Sequence, residues 1–531
     1  MSYVKTVWRD LPDRTTPITA ARLNNLEKQY DAVAADADDL GSPVGAALGL
    51  AFAAAAEVDV SKYGSPQEAV DAAQALGQPV VVKFGKGEYV TTAPIVVTAS
   101  DVTLDMGSAL VTSRHAGAAI RFDGTGGARL ARVGIRGGRI DLTGVGASGV
   151  LFAYCDGPQA ERVSVVNGAS VSGSAIGLDN CTDALVRGIR ASTVGSGVTA
   201  TASLRTLITG CLFKSLQRDG VTLFSGSHDS TVSGILVSGY NLAAEFGRAG
   251  VHVYGSDRCS VSACTIDSGS VSGTDDSPKI RFRDALDFAC SGNMVSGIKG
   301  GGIGVIALSD IGNGAGKGSI TGNTIRDVSA YGVQVALGSG GVATSLFPVA
   351  IAGNTIIGVR ASGSNAGIGI SLVSGADAGV VSANYLEDLD GEGIFTACKV
   401  AVTGNTIRNA GKGSLGAKVG IYVTASTAVV VGNYCFDDQT VKTMTNGLRI
   451  ISGAVARCAG NLFEGATSAA IRNDGTLEAQ VGDIASGRVG FFGTTPIVRP
   501  AGTPAAATDA ATTQTLVNDL RSKLLSLGLI A

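Results

Sequence analysis

From residue 100 to residue 490 the chain alternates short apolar runs with turn residues, and no stretch sustains a helical period. The runs DGVTLF, AGVHVY, YGVQVA, EGIFTA, VGIYVT and NGLRII are each entered through Gly and alternate β-branched with other residues. Such runs predict strands of three to five residues. A second phrase recurs between them: SGNMV, TGNTI, AGNTI, SANYL, TGNTI, VGNYC and AGNLF. Its asparagines are Asn293, Asn323, Asn354, Asn384, Asn405, Asn433 and Asn461, spaced by 30, 31, 30, 21, 28 and 28 residues. Earlier copies keep the frame but carry Cys211, Ile235 and Cys264 in the Asn position. A repeat of this size means a solenoid or a propeller, and a propeller blade needs about 40 residues or more. Three short strands and three turns per unit make one coil of a parallel β-helix. Asn tolerates the left-handed conformation of a tight corner. Stacked corners would also place successive amides about 4.8 Å apart, close enough to hydrogen-bond up the column. The repeated phrase is therefore expected to be structural.

The ends read differently. Thr16-Pro17 fits a helix start, and Leu23, Leu26, Tyr30, Val33, Ala37 and Leu40 follow in heptad steps. Residues 58 to 98 predict a helix over 66–76, a strand, a tight KGEY turn and another strand, an amphipathic cap for the first coil. The coil pattern stops near residue 486, and GRVGFFGTTPIVRPAGTPAAA reads as a linker. Val517, Leu520, Leu524, Leu527 and Ala531 form a second heptad seam. Both seams are too short to be stable as isolated helices, which points to bundling between copies of the chain. The expected organisation is an N-terminal helical segment over 1–57, a parallel β-helix over 58–486, and a linker with a short trimerising helix over 487–531.

Composition narrows the function classes. A net charge of −3 over 531 residues gives no electrostatic footprint for nucleic acid. The nine cysteines are scattered singly with no CxxC pair, which argues for buried thiols and against a disulfide framework or a zinc site. No metal or other cofactor is expected. The most apolar run, VGAALGLAFAAAA, is 13 residues long, short of the roughly 20 that a membrane span needs. The opening MSYVKTVWRDLPD lacks the apolar region of a signal peptide. These features predict a soluble protein finished in a cytoplasm.

Three stretches carry a family resemblance. Asp59 to Val97 reads D-V-x-x-Y-G, a short A-V-x-x-A helix, then V-V-x-x-x-G-x-G-x-Y, and resembles the opening of the pectate-lyase-like superfamily with its Gly-Asp-rich stretch trimmed to SKYGSPQEAV. WRDLPDRTTPITAARLNNLE resembles the N-terminal segment of many phage tail proteins, and GRVGFFGTTPIVRP with LVNDLRSKLLSLGLIA resembles their C-terminal tails. The chain as a whole resembles bacteriophage tail spikes and tail fibres built on a right-handed parallel β-helix. The resemblance implies an all-β homotrimer on the virion tail, assembled in the host cytoplasm. It also implies an N-terminal segment held by other phage tail proteins and attachment to a host cell-surface glycan. The alternative is a glycan depolymerase, a glycosidase or lyase, on the same scaffold.

Cleavage would need paired carboxylates about 5 Å apart, or about 6.5–9.5 Å apart for inversion, and neighbouring coils supply such spacings. Aligning coils on the Gly-entered strand gives an outward column of Thr222, His252, Asp287, Ile306, Gln334, Ser371, Phe395, Tyr422 and Arg449. The residue before the Gly gives Asp219, Asp284, Tyr331 and Glu392. The alignment predicts His252 beside Asp287, and Asp219 two coils from Asp284. The catalytic candidates are therefore Asp219, His252, Asp284 and Asp287, with Asp284 or Asp287 as acid or nucleophile and Asp219 or His252 as partner. A solvated surface pair would look the same. Tyr331, Phe395 and Tyr422 are candidates to stack on sugar rings. LEDLDGEG resembles a calcium loop, but Asp388 falls where other coils have Asp327, Gly358, Asn409 and Asp437, which is a turn position.

Overall fold

The computed structural model describes residues 56–478, apart from 144–147, 169–171, 243–247, 268–276, 298–299, 308–316, 338–347, 364, 374–378 and 425, together with the helix Ala510–Ser526. The N-terminal heptad seam and the linker lie outside the described residues. The chain coils into a right-handed parallel β-helix. Each coil contributes up to three strands, for example Gly318–Thr321, Thr324–Arg326 and Tyr331–Leu337. The third strands stack into a 15-stranded sheet running from Ile95–Val97 to Ala469–Asn473. The first and second strands stack as two parallel ladders of one 30-stranded sheet. The interior is one apolar cluster from Val58 to Cys458, with phenylalanines of neighbouring coils stacked at 4.5 Å (Phe122 on Phe152). All nine cysteines are free and buried, as the sequence implied.

The Gly before each third strand has a steric cause. A Cβ on Gly220 would lie 2.3 Å from the Gly250 carbonyl oxygen, and one on Gly393 would lie 2.5 Å from that of Gly420. Only Gly lets the backbone pass that close to the next coil.

The asparagines form a continuous ladder, one step per coil. The Asn323 Oδ1 accepts from the Asn293 backbone N–H at 3.0 Å and from its Nδ2 at 2.9 Å. The same pair of bonds recurs up to Asn433 and Asn461, both at 2.9 Å. Each amide also donates to a carbonyl of an earlier coil, as Asn354 does to Ile320 at 2.9 Å. The conformational reason differs from the one the sequence suggested. The left-handed residue is the one before the Asn: Gly322, Gly353, Gly404, Gly432 and Gly460, with Ala383 in SANYL. Another corner carries a serine ladder that the pattern did not reveal, in which Cys181 N–H donates to Ser203 Oγ, Ser203 N–H to Ser227 Oγ and Ser227 N–H to Ser256 Oγ.

The first coil is capped by the helix Pro66–Ala75, which buries Ala69, Val70 and Ala73. Ser65 caps its start, accepting from the Glu68 N–H, while the Glu68 carboxylate accepts from the Ser65 hydroxyl and the Gly64 N–H. At the other end of the chain, Val517 and Leu520 are exposed on the helix Ala510–Ser526.

Candidate functional site

Parallel register decides which side chains share a face. On the 15-stranded sheet, Thr222 pairs with His252, His252 with Arg281, and Arg281 with Gly304. Gln334, Ser371, Phe395, Tyr422 and Arg449 then continue the column. Two of the expected positions are corrected. Arg281, not Asp287, neighbours His252, and Gly304 replaces Ile306. The strand in this coil is Ile280–Arg283, entered through Lys279 where the coils on either side have Gly250 and Gly302. The Gly rule therefore pointed to Ala285 instead.

The four catalytic candidates do not meet on one outer column. Asp287 sits in a left-handed corner before the strand Phe288–Ser291, with its carboxylate 3.0 Å from the Lys317 ammonium. It belongs to a corner ladder of opposite charges, with Arg132 on Asp101, Arg205 on Asp183 and Arg258 on Asp229. Asp284 follows its strand instead of preceding it. It is buried at a left-handed corner, its N–H donating to the Ile306 carbonyl. It is thus not in the column of Asp219.

Asp219 does precede its strand, and it is only 2% exposed. Its carboxylate accepts from the Ala249 N–H at 2.7 Å and from Arg248 Nη1 at 3.2 Å. Burial pushes its carboxyl up to about 7, against the pull of the Ala249 amide, Arg218, Thr222 and Arg281. Glu392 holds the equivalent place six coils on and accepts from the Ala417 N–H at 2.7 Å. Two carboxylates in one structural slot, each tying down the next coil, point to a structural duty for that slot. His252 is also buried, with Nε2 unpartnered. Burial, then the charges of Arg281 and Arg283, push its imidazole down to about 3.

An aromatic row stands at the end of the same strands. Phe224 pairs in register with Tyr254, and Tyr254 with Arg283. The Phe224 and Tyr254 rings are 5.0 Å apart, and the Arg283 guanidinium lies 4.4 Å over the Tyr254 ring. Phe224 is 39% exposed although it is a large apolar side chain. The arrangement recurs at Phe395, Tyr422 and Arg449, with rings 5.8 Å apart and the guanidinium 5.3 Å over Tyr422. The sequence pattern singled out Phe395 and Tyr422 but missed Phe224 and Tyr254. Their signal was the fourth residue of VTLF and VHVY, two residues beyond the column that was aligned. Tyr331, by contrast, donates its hydroxyl to Asn365 at 2.6 Å.

The first-strand ladder presents a different surface. From Leu207 to Val431 its two outward columns hold only Leu, Thr, Ser, Ala and Val. Asp388 sits in a left-handed turn with Lys412 at 2.9 Å, and Asp390 accepts from the Ala361 N–H. Among the described residues no group of three or more His, Cys, Asp and Glu side chains could hold a metal ion, and no helix is long and apolar enough to cross a membrane.

The family model for a right-handed β-helix region matches residues 118–310 and 310–481. No curated protein is similar in sequence. Among solved structures, the tailspike protein of E. coli bacteriophage HK620, a double mutant in complex with a pentasaccharide, superposes with a TM-score of 0.50 at 14% identity, over 77% of this chain and 74% of the tailspike. Gene product 12 of bacteriophage phi29, in its pre-mature form, gives a TM-score of 0.48 at 12% identity over 78% of this chain, which spans 56% of the phi29 protein. DFA-IIIase from Arthrobacter chlorophenolicus A6, in complex with GF2, gives 0.42 at 13% identity over 61% of this chain and 93% of the enzyme.

Proposed function

The chain belongs to the right-handed β-helix family, and on that premise we propose that it is a bacteriophage tail spike or tail fibre protein that attaches the particle to a host cell through a surface glycan. The observation that carries this reading is the outward row Phe224–Tyr254–Arg283. An exposed aromatic face offers an apolar partner to the C–H side of a sugar ring, and the neighbouring guanidinium offers hydrogen bonds to its hydroxyls. The HK620 tailspike was solved with a pentasaccharide, and the terminal sequences resemble those of phage tail proteins.

The same reading places the chain in a homotrimer on the virion tail, with residues 1–57 held by other tail proteins. Three copies would pack through the uncharged face between Leu207 and Val431, where no charge must be stripped of water. Attachment without cleavage is favoured over depolymerisation because Asp219, His252, Asp284 and Asp287 do not converge, and three of them are buried.

The test is to incubate the purified protein with isolated host envelope glycans and measure both binding and new reducing ends. Binding without new ends is expected. Exchanging both Phe224 and Tyr254 for Ala should weaken binding about tenfold or more, since each aromatic contact contributes on the order of 1 kcal/mol. Absence of glycan binding by the wild-type protein, or a double variant that binds as well as wild type, overturns the reading.

A further inference from the structure

Charged side chains on this solenoid follow a rule: acid and base alternate from coil to coil and pair. Asp105 holds Arg136 at 2.9 Å, Glu161 holds Arg187 at 3.0 Å, and Glu387 and Asp438 flank Arg408 at 2.6 and 2.7 Å. The second-strand ladder departs from this pairing near its start. In the second-strand ladder, Arg139 is in register with Ser164, and Ser164 with Arg190. The two arginines therefore stand two coils apart, about 10 Å, with a hydroxyl between them. Arg162 sits on the Ser164 coil, two residues earlier. Among the described residues neither the Arg162 nor the Arg190 guanidinium has a side-chain partner. Arg139 reaches only Asp141 at 3.9 Å, and that carboxylate already accepts from Asn167 and from the Thr143 N–H.

Arg162 is anomalous in a second way. It occupies the left-handed corner position where every later coil has Gly or Ala, from Gly188 to Gly460. A left-handed non-Gly residue is unfavourable by about 1–2 kcal/mol, and such strain persists where the side chain is needed. Next to it, Gly107, Gly137 and Gly138, all left-handed, wall an open notch of about 650 Å³ that is lined also by Arg139, Arg162 and the Arg136–Asp105 ion pair. With Asp105 neutralised by Arg136, the remaining arginines beside a hydroxyl and a glycine-walled recess are the chemistry of an oxyanion receptor.

We propose that Arg139, Arg162 and Arg190, with Ser164 and the glycine notch, form a binding site for a tetrahedral oxyanion of the phosphate or sulfate type. The oxyanion can arrive as the free ion or as a substituent on a glycan. The site is distinct from the aromatic row, because its arginines stand on the 30-stranded sheet and Phe224 and Tyr254 on the 15-stranded one.

The test uses the full chain and inorganic phosphate and sulfate, titrated calorimetrically against sodium chloride at matched ionic strength. Saturable binding is expected, with chloride inert. Arg139→Gln and Arg190→Gln should each weaken it about tenfold, the range for a hydrogen bond between charged groups. Arg162→Gly, which relieves the strained corner and leaves the fold intact, should weaken binding while raising thermal stability. Arg258→Gln, in the corner charge ladder, should leave binding unchanged. A phosphorylated oligosaccharide that binds more tightly than phosphate identifies the source as a glycan substituent; equal affinity identifies the free ion. Wild-type protein that shows no saturable phosphate or sulfate binding overturns the proposal, as does an Arg162→Gly variant that binds as tightly as wild type.

Discussion

Asp287 and Lys317 occupy the same corner of successive coils, carboxylate to ammonium at 3.0 Å, and so continue the alternation that begins with Asp101 and Arg132. In a parallel solenoid each side chain's nearest foreign neighbour is its own counterpart one coil on, so alternating charge suffices to pair a whole edge. Asp287→Asn should therefore act as a surface pair does, lowering stability by at most about 1 kcal/mol. Equilibrium denaturation checks this, and glycan binding should persist in the variant.

The asparagine ladder should be far more sensitive. Asn354→Ala removes the acceptor of the Asn323 N–H and Nδ2, both buried, and leaves the Asn384 Oδ1 with only the backbone N–H of residue 354. The expected loss is about 2–3 kcal/mol, read as a lowered denaturation midpoint. Asn461→Ala, at the last described step of the ladder, should cost less because that site is only half-buried.

Buried titratable groups give a signed dependence on pH. The imidazole of His252, faced by Arg281 and Arg283, stays neutral until about pH 3, whereas the unfolded chain takes up that proton near the ordinary value of 6.5. The unfolded state then binds more protons between those values, so stability falls as pH drops below 6.5 and levels off below about 3. Lys279, whose ammonium donates to the Gly300 carbonyl at 2.8 Å, is pushed down to about 7 by burial and adds a loss of stability from 10.5 down to 7. Asp219 acts in the opposite sense, its contribution declining as pH rises from 3.8 through about 7. Between pH 4 and 6.5 the His252 and Asp219 contributions oppose each other and nearly cancel, so His252→Gln should leave stability rising as pH falls through that window in chemical denaturation, with the Lys279 limb above pH 7 in place.

The uncharged face offers a test of assembly. Ala350 and Val380 are neighbours in its outward column, and Val380 is 43% exposed. Ala350→Glu with Val380→Glu would bury two unpaired carboxylates between copies, so light scattering should show a trimer in the wild type and a monomer in the variant.

The sequence displayed the fold openly because most coils repeat a Gly where the backbone passes the next carbonyl, and an Asn where the ladder runs. Face assignment was less legible. It depended on one anchor per coil, and in the coil of Ile280–Arg283 the anchor is Lys279, whose buried side chain takes the place of a steric Gly. The error displaced Asp284 and Asp287 together, and with them half of the proposed catalytic set. The aromatic row was hidden for another reason. Phe224 and Tyr254 end their strands, where alternation alone does not tell an outward residue from the start of a turn.

The direction of the hydrogen bonds carries a mechanical consequence. In both sheets they run along the solenoid axis, from each coil to the next. A tether pulled along that axis loads them lengthwise and one coil at a time, as a zipper is loaded, never all at once in shear. Under tension the rod should yield in steps, and each step should release one coil of 21 to 31 residues across the asparagine ladder. At about 3.4 Å per residue that is roughly 70–105 Å of chain per step. A solenoid built this way dissipates a sudden pull by lengthening, and it keeps its remaining coils.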